Sequence, residues 1–329
     1  MTFERVQFSD DGYGYQSYFE EVRKAVDSEL SNLLLRAADL RLCEKIAYVL
    51  HTQGKRQRST LLMLSGQSVG GKEKPLRKLA LSIELLHAAT LVHDDILDLD
   101  RLRRDALAAY AKWSVKDAIL IGDALAAISL DLAANYGQEI SKIMTETALL
   151  LCDGEYMDVE MTDEISETDY LAKIKKKSAS LFRAATQCGA FAAAGSSQEI
   201  GYLAEFGENF GIAYQIKDDV SDIASMKNSI APDLREFRAT LPLVHLYKNA
   251  RSGATRALLQ SLKSTKNENF RHKRVLLDRL RTSLEASGSL SYCFSKIDEY
   301  THRAILNINP LKNSVYKSYL ILMVESLRH

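Results

Sequence analysis

Residues 90–104 read TLVHDDILDLDRLRR: four aspartates and three arginines within fifteen residues, directly behind an apolar, helix-like run. Asp94 and Asp98 are four positions apart, so on a helix they stack on one face. Two stacked carboxylates repel unless a cation sits between them. Hard divalent cations take oxygen ligands, and Mg2+ typically uses one or two carboxylates, keeps some waters and accepts substrate phosphates. The pattern returns at residues 214–222, YQIKDDVSD, with Asp218, Asp219 and Asp222. Two DDxxD clusters far apart in the chain predict two helices that face each other across a cavity, with metal between them. One acidic cluster alone would as readily be a solvated helix end. The second cluster and the basic residues nearby shift the balance toward a metal site.

Outward from the first cluster, the run from Pro75 to about Asp98 carries Leu79, Ile83, Leu86 and Thr90 on one face, and much of the rest is also apolar. A central, buried helix is expected, with Pro75 in its first turn. His87 lies two turns before Asp94 and so on nearly the same face. Upstream, HTQGKRQRSTLLMLSGQ sets Lys55, Arg56 and Arg58 immediately before an apolar helix. Cations there oppose the helix dipole unless an anion is bound as well, so the segment reads as an anion-binding corner. Residues 1 to about 14 are expected to be loosely held, and Tyr15–Leu50 to be helical. Trp113–Ala134 and Met144–Met161 read as further buried helices, with Asp123 and Asp158 as structural hydrogen-bonding acids. Downstream, YLAKIKKKSASLFRAATQCGAFAAAG places three lysines before a small-residue helix, and Lys177, beside Ser178, is the one expected to face the cavity. The remainder reads as amphipathic helices, with no repeat and no strand series.

Composition sets bounds on function. The 329 residues are 46% hydrophobic and carry 43 basic and 43 acidic side chains, enough for a large core and with no net charge to attract nucleic acid or an anionic membrane. Only four prolines and sixteen glycines interrupt the chain, as long helices require. Cys43, Cys152, Cys188 and Cys293 are scattered and read as reduced core residues of a cytoplasmic protein. No apolar run is long enough to span a bilayer, and the N-terminus lacks the features of a signal peptide.

Taken together, these motifs resemble the trans-isoprenyl diphosphate (polyprenyl) synthase family over about residues 20–325. Gly54-Lys55-Arg56-Gln57-Arg58 resembles GGKRxRP. His87, DDILD and Arg103-Arg104 keep the spacing of that family's first aspartate motif. Gly122-Asp123, Lys177-Ser178-Ala179, Tyr214-Gln215, DDVSD, and Asp233-Leu234 with Thr240-Leu241-Pro242 follow in order. The resemblance implies one all-α domain over residues 1–329, with the isoprenoid synthase fold: a large antiparallel helical bundle around a central cavity, usually a homodimer. It implies head-to-tail 1'-4 condensation of isopentenyl diphosphate onto an allylic diphosphate, with three Mg2+ per site and at most a transient membrane contact as product leaves. By the same match, Asp94, Asp98 and Asp218 would bind metal directly, and Asp95, Asp219 and Asp222 would act through water or hydrogen bonds. Arg103 and Lys177 would hold the allylic diphosphate, while Lys55, Arg58, His87 and Arg104 would hold isopentenyl diphosphate. Ser178 and Gln215 would lie beside the forming cation. No side chain stands out as a general base, so the departing diphosphate is expected to take the final proton.

The chain departs from the family pattern on its diphosphate-gripping loops. Gln53 and Ser59 replace Gly and Pro, Asp105 replaces the Gly after the arginine pair, and Ser178 replaces Thr. Phe237-Arg238 replaces Gly-Lys, the loop after Asp222 is short, and Lys227 is the one lysine there. Product length is read from the residues ahead of the first motif. Short-chain members place an aromatic ring there, whereas Ala89, Thr90 and Leu86 supply none. A product longer than C20 is therefore expected, at C25–C40 with C25–C35 favoured, made from a farnesyl or geranylgeranyl primer. The competing readings are a C20 geranylgeranyl diphosphate synthase, a class I terpene cyclase and a non-catalytic scaffold subunit. Cyclases usually carry a different second metal motif, and scaffold subunits normally lose aspartates that this chain keeps.

Overall fold

A computed structural model describes residues 11–36, 39, 41–51, 54–160, 166–225, 240–249, 257–258, 261 and 270–328. Gln53, Lys227, Asp233, Leu234, Phe237 and Arg238, and with them the loop after Asp222, lie outside the described residues.

The described chain is almost wholly helical. Its first half runs α1 (Asp11–Arg36), α2 (Cys43–His51), α3 (Gln57–Ser68) and α4 (Glu73–Leu97), then a two-stranded hairpin of β1 (Leu102–Arg103) and β2 (Ala106–Leu107). The short α5 (Ala109–Lys112) and the long α6 (Val115–Ala134) and α7 (Gln138–Glu160) follow. Next, α8 (Glu167–Ile174) passes through a π turn (Lys175–Ala179) into α9 (Ser180–Ala192), followed by α10 (Ser197–Ser225). The C-terminal part is α11 (Leu241–Asn249), α12 (Phe270–Ala286), α13 (Ser289–Ile308) and α14 (Val315–Glu325).

Local chemistry sets several of these boundaries. Ser114 Oγ accepts the Asp117 N–H and starts α6, and a Ser166–Asp169 capping box starts α8. The central helix α4 is wedged between α3, α6 and α9. Its Leu79, Ile83, Leu86 and Val92 join Leu125 and Leu181 in one buried cluster. A second cluster gathers Phe182, Phe206 and Phe210 with the inner faces of α13 and α14. Close packing of α9 on α3 depends on Gly189, where a Cβ would lie 2.1 Å from Leu62 O.

Four expectations are corrected. The first helix begins at Asp11, inside the stretch expected to be loose. The helix expected from Met144 begins at Gln138, because polar side chains are welcome on an exposed first turn. Neither α6 nor α7 is buried all round: Ile119, Leu120, Leu149 and Leu150 are exposed, and so are Asp123 and Cys152. The arginine pair lies in a hairpin that leaves no periodic sign in the sequence, because each strand has only two residues.

Candidate active site

Seen down α4, successive residues turn by about 100°, and this sorts the first motif onto different surfaces. Thr90 and Asp94 point into a cavity of about 600 Å³, whose far walls are Glu155 on α7, Lys177 and Ser178 in the π turn, and Gln215 and Asp218 on α10. The first aspartates of the two motifs thus line one cavity, as the spacing predicts. His87 and Leu91 form a partition with Arg58, Arg103, Arg104 and Tyr214; all six also line a second cavity of about 480 Å³, which contains Lys55. Ala89 and Leu86 are buried in the core, and neither lines either cavity.

The second aspartate of each motif is used alike. Asp95 is buried, and Arg103 donates to its Oδ1 from Nε at 2.8 Å and also from Nη2. Asp219 is buried as well and accepts from Tyr170 Oη at 2.7 Å, the Leu241 N–H at 3.1 Å and Gln215 Nε2 at 2.9 Å. Each carboxylate therefore pins an adjoining segment, the hairpin in one case and the start of α11 in the other. Asp98, the C-cap of α4, and Asp222 are half-buried and outside the cavity lining. Among the described residues no three acids or histidines converge to cage an ion by themselves.

The three lysines of the π turn diverge. Lys175 reaches Glu208 at 2.8 Å, Lys176 reaches Asp153 at 2.6 Å, and Lys177 turns inward between Glu155 at 2.8 Å and Asp158 at 2.7 Å. A π turn inserts one residue into the helical register and re-aims the side chains that follow. Gly154 makes room for it: a Cβ there would lie 2.3 Å from Lys177 N. Burial alone would lower the Lys177 ammonium, but Asp158, Asp94 and Glu155 hold it above the usual lysine range. Asp158, a structural acid as expected, also takes Lys173 at 2.6 Å. Ser178 Oγ donates to Gln215 Oε1 at 2.7 Å, and since the amide nitrogen of Gln215 is held by Asp219, its carbonyl orientation is fixed.

Glu155 was not picked out from the sequence, although a carboxylate one turn before Asp158 on a helix was a signal available there. Burial and the negative charge of Asp94 push its carboxyl up to about 7. Among the described residues no partner reaches its Oε1. Asp218 is likewise raised by burial, against the pull of Lys55 and Arg58.

At the basic corner, Arg56 lines the second cavity, but its guanidinium is taken up by carboxylates of the protein itself. It adopts a left-handed conformation with φ 49° and pairs with Asp27 at 3.0 Å and Glu84 at 3.4 Å. Ser59, in the place of proline, donates to Glu84 twice, from N–H at 3.1 Å and from Oγ at 2.8 Å. Arg58 lies over the Phe182 ring at 4.2 Å and donates to His87 Nε2 at 3.0 Å. Its buried Nε finds no acceptor among the described residues. His87 is held well below the ordinary histidine range, by burial first and then by the surrounding arginines, so it is a neutral acceptor. Arg104 and Asp105 form the two-residue turn of the hairpin with φ 50° and 65°, a conformation that favours glycine and that aspartate tolerates better than most residues. Gly54 lets the Arg104 guanidinium lie against the backbone, since a Cβ would meet it at 3.0 Å. Gly122 similarly seats His93 of α4 against α6.

Comparisons with known proteins agree with this geometry. The family model for polyprenyl synthetases matches residues 40–279. An all-trans-nonaprenyl-diphosphate synthase of Rhodobacter capsulatus is 33% identical over 282 residues, covering 83% of this chain and 84% of that protein. A short chain isoprenyl diphosphate synthase of Methanothermobacter thermautotrophicus is 32% identical over 242 residues, covering 70% of this chain and 72% of its own. The crystal structure of a geranylgeranyl pyrophosphate synthase is similar at TM-score 0.87 over 94% of this chain and 98% of that one, with 27% identity. With its all-α bundle and two facing aspartate motifs, the chain belongs to the polyprenyl synthetase family.

Proposed function

We propose that the protein condenses isopentenyl diphosphate with an allylic diphosphate, head to tail, in a Mg2+-dependent reaction that releases diphosphate. The observation that carries this reading is one cavity lined by Asp94, Asp218, Lys177, Arg58, Arg103 and Arg104. The donor set fits Mg2+: oxygen ligands only, one or two carboxylates from each helix, and open positions for waters and phosphate. The raised Glu155 beside Asp94 marks a place where Lys177 does not offset burial and the neighbouring negative charge. Asp94, Asp98 and Asp218 would hold the metal directly and Asp222 through water, three ions per site by the family resemblance. Asp95 and Asp219 would act at one remove, by fixing Arg103 and the start of α11. When bound, Mg2+ neutralises the charge that develops on the leaving diphosphate.

The chain's own residues carry the remaining work. Lys177 and Arg103 hold the allylic diphosphate where its charge grows as the C–O bond breaks. Lys55, Arg58, Arg104 and the neutral His87 hold isopentenyl diphosphate across the partition. Ser178 and Gln215 present fixed dipoles to the forming allylic cation, and the apolar walls keep water from quenching it. Incubating purified protein with Mg2+, isopentenyl diphosphate and each allylic diphosphate tests this reading. Pyrophosphate release with linear prenyl products supports it, whereas no turnover with any primer supports a scaffold role.

The product is proposed to be an all-trans chain longer than C20, at C25–C40. One helical turn from Asp94, Glu155 and Lys177 the cavity is lined by Thr90, Leu151 and Leu181, the proposed collar, with no aromatic ring among them. A C20 product is the alternative if this collar holds its place. The assembly is proposed to be a homodimer, on the exposed apolar residues Ile119, Leu120, Leu149 and Leu150 of α6 and α7; sedimentation equilibrium showing monomer would reject it. Among the described residues no helix is long and apolar enough to cross a membrane. A cytoplasmic location is the matching proposal, supported by four free cysteines and testable by fractionation.

A further inference from the structure

The arginines around the two cavities are held in two different ways. Arg103 gives its Nε and Nη2 to Asp95, and Arg56 pairs with Asp27 and Glu84. Arg58 lines both cavities, yet its contacts among the described residues are His87 Nε2 at 3.0 Å and the face of the Phe182 ring, whose centroid is 4.2 Å from Cζ. No carboxylate lies within ion-pair distance of it there, and its buried Nε has no acceptor among the described residues. A carboxylate beside Arg58 would neutralise the guanidinium and compete with a diphosphate for its N–H groups. A ring face attracts the cation through its quadrupole and takes up no donor.

The ring itself is firmly seated. Phe182 is fully buried in the first turn of α9. The rings of Phe210 and Tyr214 on α10 are each 5.2 Å from it between centroids, and Phe206 packs on Phe210 at 6.3 Å. Arg58 is in the first turn of α3, and α3 and α9 approach closely where Gly189 meets Leu62. Phe182 lines neither cavity, so any effect it has on a substrate passes through a neighbour. A core phenylalanine needs only volume, whereas a ring under a cation has an electronic requirement as well, and this separates the two roles.

We propose that Phe182 is a positioning residue for isopentenyl diphosphate: its ring face holds the Arg58 guanidinium in the place where a carboxylate would otherwise be needed, so that the arginine meets the diphosphate already oriented and still charged. Ordering done before binding does not weaken binding. Phe182 follows Lys177 by five residues, so one segment sets both diphosphate grips, Lys177 by the π turn and Arg58 through the ring. The inference rests on the reading of Arg58 as part of the isopentenyl diphosphate site.

The test makes the full chain with mono-, di- and trifluorinated phenylalanine in place of Phe182. Each fluorine draws electron density from the ring face and changes its shape little. With Mg2+ and saturating allylic primer, the KM for isopentenyl diphosphate is expected to rise stepwise with fluorine number, to about tenfold at three fluorines. Both kcat and the KM for the primer should stay within about twofold, the pattern of a lost binding contact. Phe182→Leu, which keeps apolar bulk without a ring, should raise the same KM at least as far; if it does not fold, the fluorinated series decides alone. In an Arg58→Gln background the series should be flat. The proposal is overturned if the KM ignores fluorine number, if the gradient persists in Arg58→Gln, or if kcat falls in step with it. Absence of turnover by the wild type would instead reject the enzymatic reading, and calorimetric binding of isopentenyl diphosphate along the same series would still decide the role of the ring.

Discussion

Ser59 shows how one departure from a family pattern is compensated. Glu84 is buried in the middle of α4 and takes the Ser59 N–H, the Ser59 hydroxyl and the Arg56 guanidinium. A proline at position 59 has neither donor. Ser59→Pro is therefore expected to destabilise the chain by about 1–3 kcal/mol, the usual cost of leaving a buried acceptor short of donors. Ser59→Ala, which keeps the N–H, should cost less, and denaturant unfolding of the two variants checks the order. Asp105 is a similar case: the hairpin turn needs a left-handed residue, and aspartate supplies one without glycine.

At the scale of the element, the π turn between α8 and α9 decides which lysine serves the cavity. Its seat is the missing side chain of Gly154. Gly154→Ala pushes α7 away from the turn and moves Lys177 relative to Asp94. A fall in kcat of about tenfold or more is expected, since small misplacements of a positioning group cost that much; unchanged kcat would show that the turn tolerates the shift. The proposed collar makes a second prediction, about product length. Leu151 on α7 and Leu181 on α9 line the cavity one turn from Glu155 and Lys177. Trimming either to alanine should lengthen the main product by one or more isoprene units, and Leu181→Phe should shorten it. Chromatography of labelled products reads both; identical distributions in all three variants would place the floor elsewhere. Ala89, packed in the core outside the lining of either cavity, is expected to matter less than these leucines.

Across the whole molecule, the charge network behind the site links stability to pH. Burial would raise the Asp158 carboxyl, but Lys173 and Lys177 outweigh it and hold it below the ordinary value. A carboxylate with a depressed folded pKa stabilises the fold above the unfolded value of about 3.9 and loses that contribution as pH falls through the folded pKa. Asp158→Asn should flatten the acid limb of the stability curve below about pH 4. At neutral pH it should cost about 3–5 kcal/mol, because the Lys173 and Lys177 ammonium groups both lose a buried carboxylate. Glu155 has the opposite sign. Its carboxyl is raised to about 7, so it destabilises the metal-free fold increasingly as pH rises from about 4.3. Added Mg2+ should therefore raise Tm more at pH 8 than at pH 5, and Glu155→Gln should erase that difference in scanning calorimetry.

Sequence alone determined the helical class, the two aspartate helices, and, Glu155 apart, the charged residues that line the cavity between them. Those are properties of spacing: a DDxxD stacks carboxylates on any helix, and apolar residues at three and four bury one face of it. Tertiary structure alone decided how each residue within a motif is used. Asp94 and Asp95 are neighbours in sequence, yet one enters the cavity and the other turns about 100° away to hold Arg103. Of three adjacent lysines one faces the substrate cavity, because a π turn seated on Gly154 resets the register. Arg56 looked like part of the anion grip, but a left-handed backbone sends it to Glu84 and Asp27. Spacing fixes which face of an element a side chain is on; only the packing of other elements against that face decides whether it meets a partner, a wall or an open cavity.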